Sequence, residues 1–215
     1  MPQDRFTTLP KDRLPAFAED RLLTSSLTEA KRAARAQALE RRKGLHHAGV
    51  GCARRAAGHA LAVISLLREV RTVAGYLPLR SEIDPRPTML ALIGLGYRIG
   101  APVVVASDAP LRFREWTPRA RLERGAFGVS HPVEGDWIEP DAILAPLLAF
   151  DAEGWRLGYG GGFYDRTFAA LRARRGVAAL GLAFAGQQVA TVPHGPEDER
   201  LDAVVTARGI VRPGA

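Results

Sequence analysis

The first stretch of the chain mixes charged and apolar residues without a fixed period, and Pro2, Pro10 and Pro15 interrupt it. This predicts a loosely ordered arm over 1–27 with a short helix over 17–23. Thr28 offers an N-cap, and Glu29 sits in the first turn, where a carboxylate suits the helix dipole. The strong helix formers that follow predict a helix ending at Gly44. A second, Ala-rich helix is expected over 50–67, buried along much of its length. Residues 71–78 read as a strand running into a loop, 87–97 as a helix and 101–106 as a strand. LRFREW (111–116) alternates like a strand, and 117–140 offers few periodic cues. The apolar run 141–150 reads as a buried strand whose Pro146 marks an edge or bend. A glycine-rich loop, a helix over 163–175, a strand over 177–184 and a short strand over 203–206 complete the series. Such alternation predicts an α/β fold: an open, mostly parallel sheet with helices on both faces, in one domain over 28–215.

Composition narrows the class. A chain of 215 residues, 47% hydrophobic and 25% charged, can bury a full core and is neither disordered nor fibrous. Its one cysteine, Cys52, excludes an internal disulfide framework and a zinc site built on thiolates. The longest apolar runs (60–67, 89–97 and 143–150) reach about half the ~18 residues of a membrane span. The N-terminus interleaves charges and has no signal-peptide core. A cytoplasmic protein with no membrane partner is expected.

The charge carries more information. A net +7 and a pI near 10.3 invite a nucleic-acid partner. Residues 1–55, however, hold 12 Lys and Arg against 6 Asp and Glu, whereas the rest holds 18 against 17. The excess belongs to the N-terminal segment, the body is nearly neutral, and no RNA- or DNA-binding motif is visible.

The sharpest feature is Arg156-Leu-Gly-Tyr-Gly-Gly-Gly-Phe-Tyr-Asp-Arg166. Four glycines within five positions, between an apolar strand and a helix, suit a backbone that bends sharply or is closely approached. Their N–H groups and the helix N-terminus can cradle phosphate oxygens, and Arg156 adds a bidentate cation. A surface turn would use the same glycines. No Gly-Lys-Ser/Thr closes the loop, so it is not a Walker loop. Gly94-Leu-Gly96-Tyr-Arg-Ile-Gly100 superficially looks like a dinucleotide fingerprint but ends a helix, and reads as a C-cap.

Asp165, in the first turn after the glycines, either stabilises that helix end or holds a Mg²⁺ that bridges phosphates. Asp202, just before a strand, is the second candidate, or a turn former. Lys31 and Arg35 share one helix face, with Arg42 near the same stripe. That face is either solvated or clamps a polyphosphate. Glu82 follows a strand and either meets an amino-heterocycle or caps a turn. The five histidines show no ligand spacing.

The stretch ILAPLLAFDAEGWRLGYGGGFYDRT resembles the signature of the 5-formyltetrahydrofolate cyclo-ligase (methenyltetrahydrofolate synthetase) family. KRAAR (31–35), YLPLRSEID (76–84) and ALGLAFAGQ…VPHGPEDERLDAVVT (179–206) follow the family's order. The resemblance implies an ATP- and Mg²⁺-dependent ligase that converts 5-formyltetrahydrofolate to 5,10-methenyltetrahydrofolate, ADP and phosphate. It assigns ATP to Lys31, Arg32, Arg35 and the loop Arg156, Leu157, Gly158, Tyr159, Gly160, Gly161, Gly162, Phe163 and Tyr164. It assigns the folate to Arg35, Leu77, Glu82 and to Tyr159, Gly160, Gly161, Gly162 and Phe163, and the metal to Asp165 and Asp202. A monomer is expected. Departures from the family pattern are Leu147 for a common Gly, Phe163 for Tyr, Gly161 for a lysine of some members and Glu197 for a frequent His. Two rivals remain: a related ATP-using enzyme on another heterocycle, and a nucleic-acid-binding protein that uses the basic N-terminus.

Overall fold

The long run of helix formers does not stop at its local signals. In the computed structural model, which describes residues 16–214, helix α1 runs from Ala16 to Ala48. Thr28 is therefore an interior residue and not an N-cap, and the short helix expected over 17–23 is part of α1. Residues 1–15 of the expected arm lie outside the described residues. Gly44 does not end the helix either, because Leu45 packs against the core over Gly186, where a Cβ would come within 2.7 Å of it. Burying Leu45 offsets the roughly 1 kcal/mol cost of a helical glycine.

Gly51, at φ 76°, separates α1 from α2 (Cys52–Leu66). Strand β1 (Thr72–Ala74) is shorter than expected, and α3 spans Arg86–Gly94. Gly96 (φ 87°), just after the C-cap Leu95, closes α3 in the left-handed conformation, with Tyr97 N–H donating to Leu92 O at 3.0 Å. Strand β2 (Arg98–Val103) starts before the predicted 101–106, because Arg98, Ile99 and Gly100 pair with β1. Strand β3 (Arg112–Glu115) follows. The region without periodic cues holds β4 (Leu122–Arg124), β5 (Ser130–Pro132) and β6 (Trp137–Ile138). Pro146 splits the expected strand 141–150 into β7 (Ala142–Ala145) and β8 (Ala149–Phe150). Strand β9 (Arg156–Leu157), helix α4 (Phe163–Arg172) and strands β10 (Ala178–Leu182), β11 (Ala203–Thr206) and β12 (Gly209–Val211) complete the chain.

Eight strands form one sheet in the order β12-β11-β10-β7-β1-β2-β3-β6. The five from β11 to β2 are parallel, and β12, β3 and β6 add antiparallel edges. Alternate residues bury opposite faces. Val73, Ala142, Leu144, Leu180 and Leu182 pack with Ile64 of α2 and Met89 of α3, whereas Ala74, Ile143, Ala145 and Ala179 pack with Phe168 and Leu171 of α4. Ala38 of α1 lies in a third cluster with Leu148, Ala149 and Leu157. Among the described residues no helix is long and apolar enough to cross a membrane.

From β1 the parallel order steps outward in one direction to β2 and in the other to β7, β10 and β11. The two crossovers leave a crevice at the C-terminal ends of β1 and β7, where open α/β sheets place their ligands.

Candidate active site

A cavity of about 1040 Å³ opens at that crevice. The turn after β1 (Tyr76 to Glu82), Pro146, the β9–α4 loop, the inward face of α1 and residues 196–199 enclose it. The β4–β5 hairpin borders it with Phe127 and His131. Such a volume sits at the top of the range for one small-ligand pocket and accommodates two ligands side by side.

The glycines make one wall. Gly160 (φ 98°) and Gly162 (φ 65°) adopt left-handed backbone that favours glycine. A Cβ on Gly160 would come within 3.1 Å of Arg35 Cζ, and one on Gly161 within 2.8 Å of the Phe163 ring. Arg35 Nε donates to Gly158 O at 3.1 Å, so α1 holds the start of the loop. Gly162 leads into α4 without a side-chain cap, which leaves the first-turn N–H groups to face a ligand.

Arg156 anchors this wall from below. Its Nη2 donates to Asp165 Oδ1 at 2.8 Å, and Asp165 also accepts the Glu199 N–H at 3.2 Å. Arg156 is buried and lines the cavity, yet its Nε has no hydrogen-bond partner among the described residues. A buried guanidinium N–H without an acceptor is costly, and an anionic oxygen would satisfy it. Asp151 shapes the approach to Arg156: fully buried, it accepts the N–H groups of Trp155 (2.9 Å) and Val192 (2.8 Å). On α1, Lys31 pairs with Asp198 at 2.5 Å.

The opposite wall carries Leu77, Leu79 and Glu82. Glu82 is buried and accepts the Leu79 N–H at 2.7 Å, with Arg42 at 3.8 Å. Burial outweighs both contacts and raises its pKa to about 7. Burial likewise pushes the Tyr76 and Tyr164 phenols up, with Glu82 adding to the effect, so both stay protonated. The Glu82 shift carries a pH signature. Between its ordinary value of 4.5 and about 7 the folded state binds more protons than the unfolded chain, so stability falls as pH rises through that window. The loss is at most about 3 kcal/mol. Glu82→Gln is expected to remove most of this slope, as thermal unfolding between pH 5 and 8 will show; a slope kept in the variant places it elsewhere.

Most of the expected site residues meet in this cavity: Lys31, Arg35, Leu77, Glu82, Arg156, Leu157, Gly158, Tyr159, Gly160, Gly161, Gly162, Phe163, Tyr164 and Asp165. Two do not. Arg32, turned about 100° from Lys31 around the helix, lies on an exposed face and pairs with Glu29 at 2.8 Å. Asp202 lies at the N-terminal end of β11, where it accepts the Ala179 N–H at 2.7 Å and pairs with Arg172 at 3.2 Å. Among the described residues no group of three or more His, Cys, Asp or Glu side chains could hold a metal. Asp165 alone fits the Mg²⁺ habit of one or two carboxylates completed by phosphate oxygens and water. Asp151 and Glu199 leave no signal in the sequence, and Arg42, expected near the Lys31–Arg35 stripe, is neither solvated nor in the cavity lining but fully buried. Arg42 does carry a signal, being seven residues after Arg35 and hence on its face.

Comparison with known proteins shows the family and the fold. Residues 27–207 match the sequence model of the 5-formyltetrahydrofolate cyclo-ligase family. The 5-formyltetrahydrofolate cyclo-ligase of Mycolicibacterium smegmatis is 35% identical over 152 residues, covering 66% of this chain and 76% of that protein. That of Escherichia coli K12 is 34% identical over 141 residues, 63% of this chain and 77% of its own. The solved 5,10-methenyltetrahydrofolate synthetase of Aquifex aeolicus superposes with a TM-score of 0.67 at 29% identity, covering 86% of this chain and 93% of that one. A Mycoplasma pneumoniae structure, at 22% identity and a TM-score of 0.65, shares the fold. The chain is a ligase and belongs to the 5-formyltetrahydrofolate cyclo-ligase family.

Proposed function

We propose that the protein couples ATP hydrolysis to closure of 5-formyltetrahydrofolate into 5,10-methenyltetrahydrofolate, acting as a cytoplasmic monomer. The observation that carries this reading is one cavity with a glycine loop and a buried Arg156 N–H, unpartnered among the described residues, on one wall, and Glu82 on the other. The first wall suits phosphates, and the second suits the N–H groups of a pterin ring.

A formamide oxygen is a poor leaving group and must be activated. In the proposed sequence the formyl oxygen attacks the γ-phosphorus, an O–P bond forms, and the bond to ADP breaks. The N10 lone pair then attacks the formyl carbon, the carbon–oxygen bond breaks, phosphate leaves, and N10 gives up its proton. Little covalent work falls to the protein; it positions two substrates and neutralises charge. The loop N–H groups, Arg156 and Arg35 hold phosphate oxygens, and Lys31 joins them by exchanging Asp198 for phosphate. Leu77 and Glu82 receive the pterin, with Tyr159 to Phe163 along its border. Mg²⁺ at Asp165 would neutralise phosphate charge. Arg32 and Asp202 lie outside the cavity, paired with Glu29 and Arg172, so neither is given a contact to the nucleotide or the ion in this reading. Residues 28–215 form the catalytic unit in this reading.

Part of the basic N-terminal segment also finds its use here, since Lys31 and Arg35 line the cavity. A nucleic-acid partner is not needed to account for them. Purified protein incubated with 5-formyltetrahydrofolate tests the proposal: methenyl absorbance is expected only with Mg-ATP. No product, or the same product without ATP, contradicts it.

A further inference from the structure

Arg42 is a fully buried arginine to which none of the roles above is given. It does not line the cavity; it lies behind it and touches three of its walls. Its Nε donates to Ser81 Oγ at 3.2 Å, in the turn after β1. Its Nη1 donates to Leu147 O at 3.2 Å, just beyond β7, and lies 3.8 Å from Glu82 Oε1. Its Nη2 donates to the Tyr159 hydroxyl in the glycine loop, and its Cζ lies 5.2 Å from the centre of that ring. One rigid guanidinium thus ties together the segments that bear the pterin wall, the end of a central strand and the phosphate wall.

A buried arginine is a weak device for stability, because well-packed apolar side chains often do as well or better. Its planar fork is a strong device for fixing directions. We infer that Arg42 is a positioning residue that sets the glycine loop, through Tyr159, in register with the Ser81–Glu82 turn, so that the two substrates meet in reacting geometry. This rests on the function proposed above. It makes a distinct demand: the link should matter for both substrates, although Arg42 touches neither.

Steady-state kinetics of Arg42→Lys, Tyr159→Phe and the double variant test it. Lysine keeps the charge but cannot bridge three directions, and Tyr159→Phe keeps the ring while losing the bonded hydroxyl. For Arg42→Lys, kcat is expected to fall on the order of 10- to 100-fold, the scale of a misplacement of about 1 Å. KM should rise for both Mg-ATP and the folate. The double variant should be no worse than the more impaired single, because both break one link. A merely structural arginine predicts a lower unfolding temperature with kcat and both KM values unchanged in the folded enzyme; that result, or effects that multiply in the double variant, overturns the inference. Ser81→Ala removes another Arg42 partner and keeps the test open if Arg42→Lys does not fold. A rise in both KM values is expected there, and unchanged values count against the link. Wild-type protein without methenyl product would sink the proposed function, whereas product formation with indifferent variants sinks the positioning role alone.

Discussion

Arg156→Ala is expected to lower kcat/KM for ATP by about 10²- to 10³-fold, the scale of removing one preorganised donor from developing charge. Three features of its setting make this the largest single effect. The side chain is buried at the foot of the glycine loop, its Nη2 holds Asp165, and its Nε has no acceptor among the described residues. A group so placed is costly unless an anion completes its set. Truncation also leaves Asp165 without its cation, so the variant should be less stable, by up to about 3 kcal/mol. Arg156→Lys separates the two consequences: it keeps a charge near Asp165 but loses the planar fork, and should recover more stability than turnover. Initial rates over a range of Mg-ATP concentrations, with thermal unfolding of the same preparations, provide the check. An ATP dependence unaltered in Arg156→Ala would count against the phosphate cradle.

Asp165→Asn carries the second large effect. Asparagine still accepts from Arg156 Nη2 and from the Glu199 N–H, so the fold and the loop should persist. What it removes is the negative charge, which is what a hard divalent cation seeks. Turnover should fall by about 10²-fold, the scale of lost electrostatic stabilisation at a transferring phosphoryl. The Mg²⁺ concentration needed for half-maximal rate should rise, since fewer charged ligands remain. Rates at limiting Mg²⁺ that match the wild type would remove Asp165 from the metal site.

The central layer of the fold is legible because buried parallel strands read as apolar runs, as in Ala142–Ala145, and the helices between them keep their own period. The margins are not. Leu122–Arg124 is exposed throughout and Trp137–Ile138 is two residues long, so neither leaves a period to detect. The ends of α1 mislead for a different reason. Thr28 and Gly44 are valid local signals, but a helix continues when the next turn finds a partner, and Leu45 finds Gly186. The site divides along the same line. The glycine loop, Arg156 and Asp165 lie within a dozen residues, so their association is local and readable. Arg42 reaches partners 39, 105 and 117 residues away, a convergence that only the folded topology brings about. Arg32 and Lys31 are neighbours in the sequence yet face opposite surroundings, because one residue rotates the helix by about 100°.

In the proposed reaction, phosphoryl transfer and ring closure are coupled in this one cavity. Simultaneous measurement of ADP release and methenyl formation by the purified wild-type protein tests it most directly. One ADP is expected for each methenyl product, with little ADP formed when 5-formyltetrahydrofolate is omitted. Methenyl formation without ADP, or ADP release that ignores the folate, would contradict it.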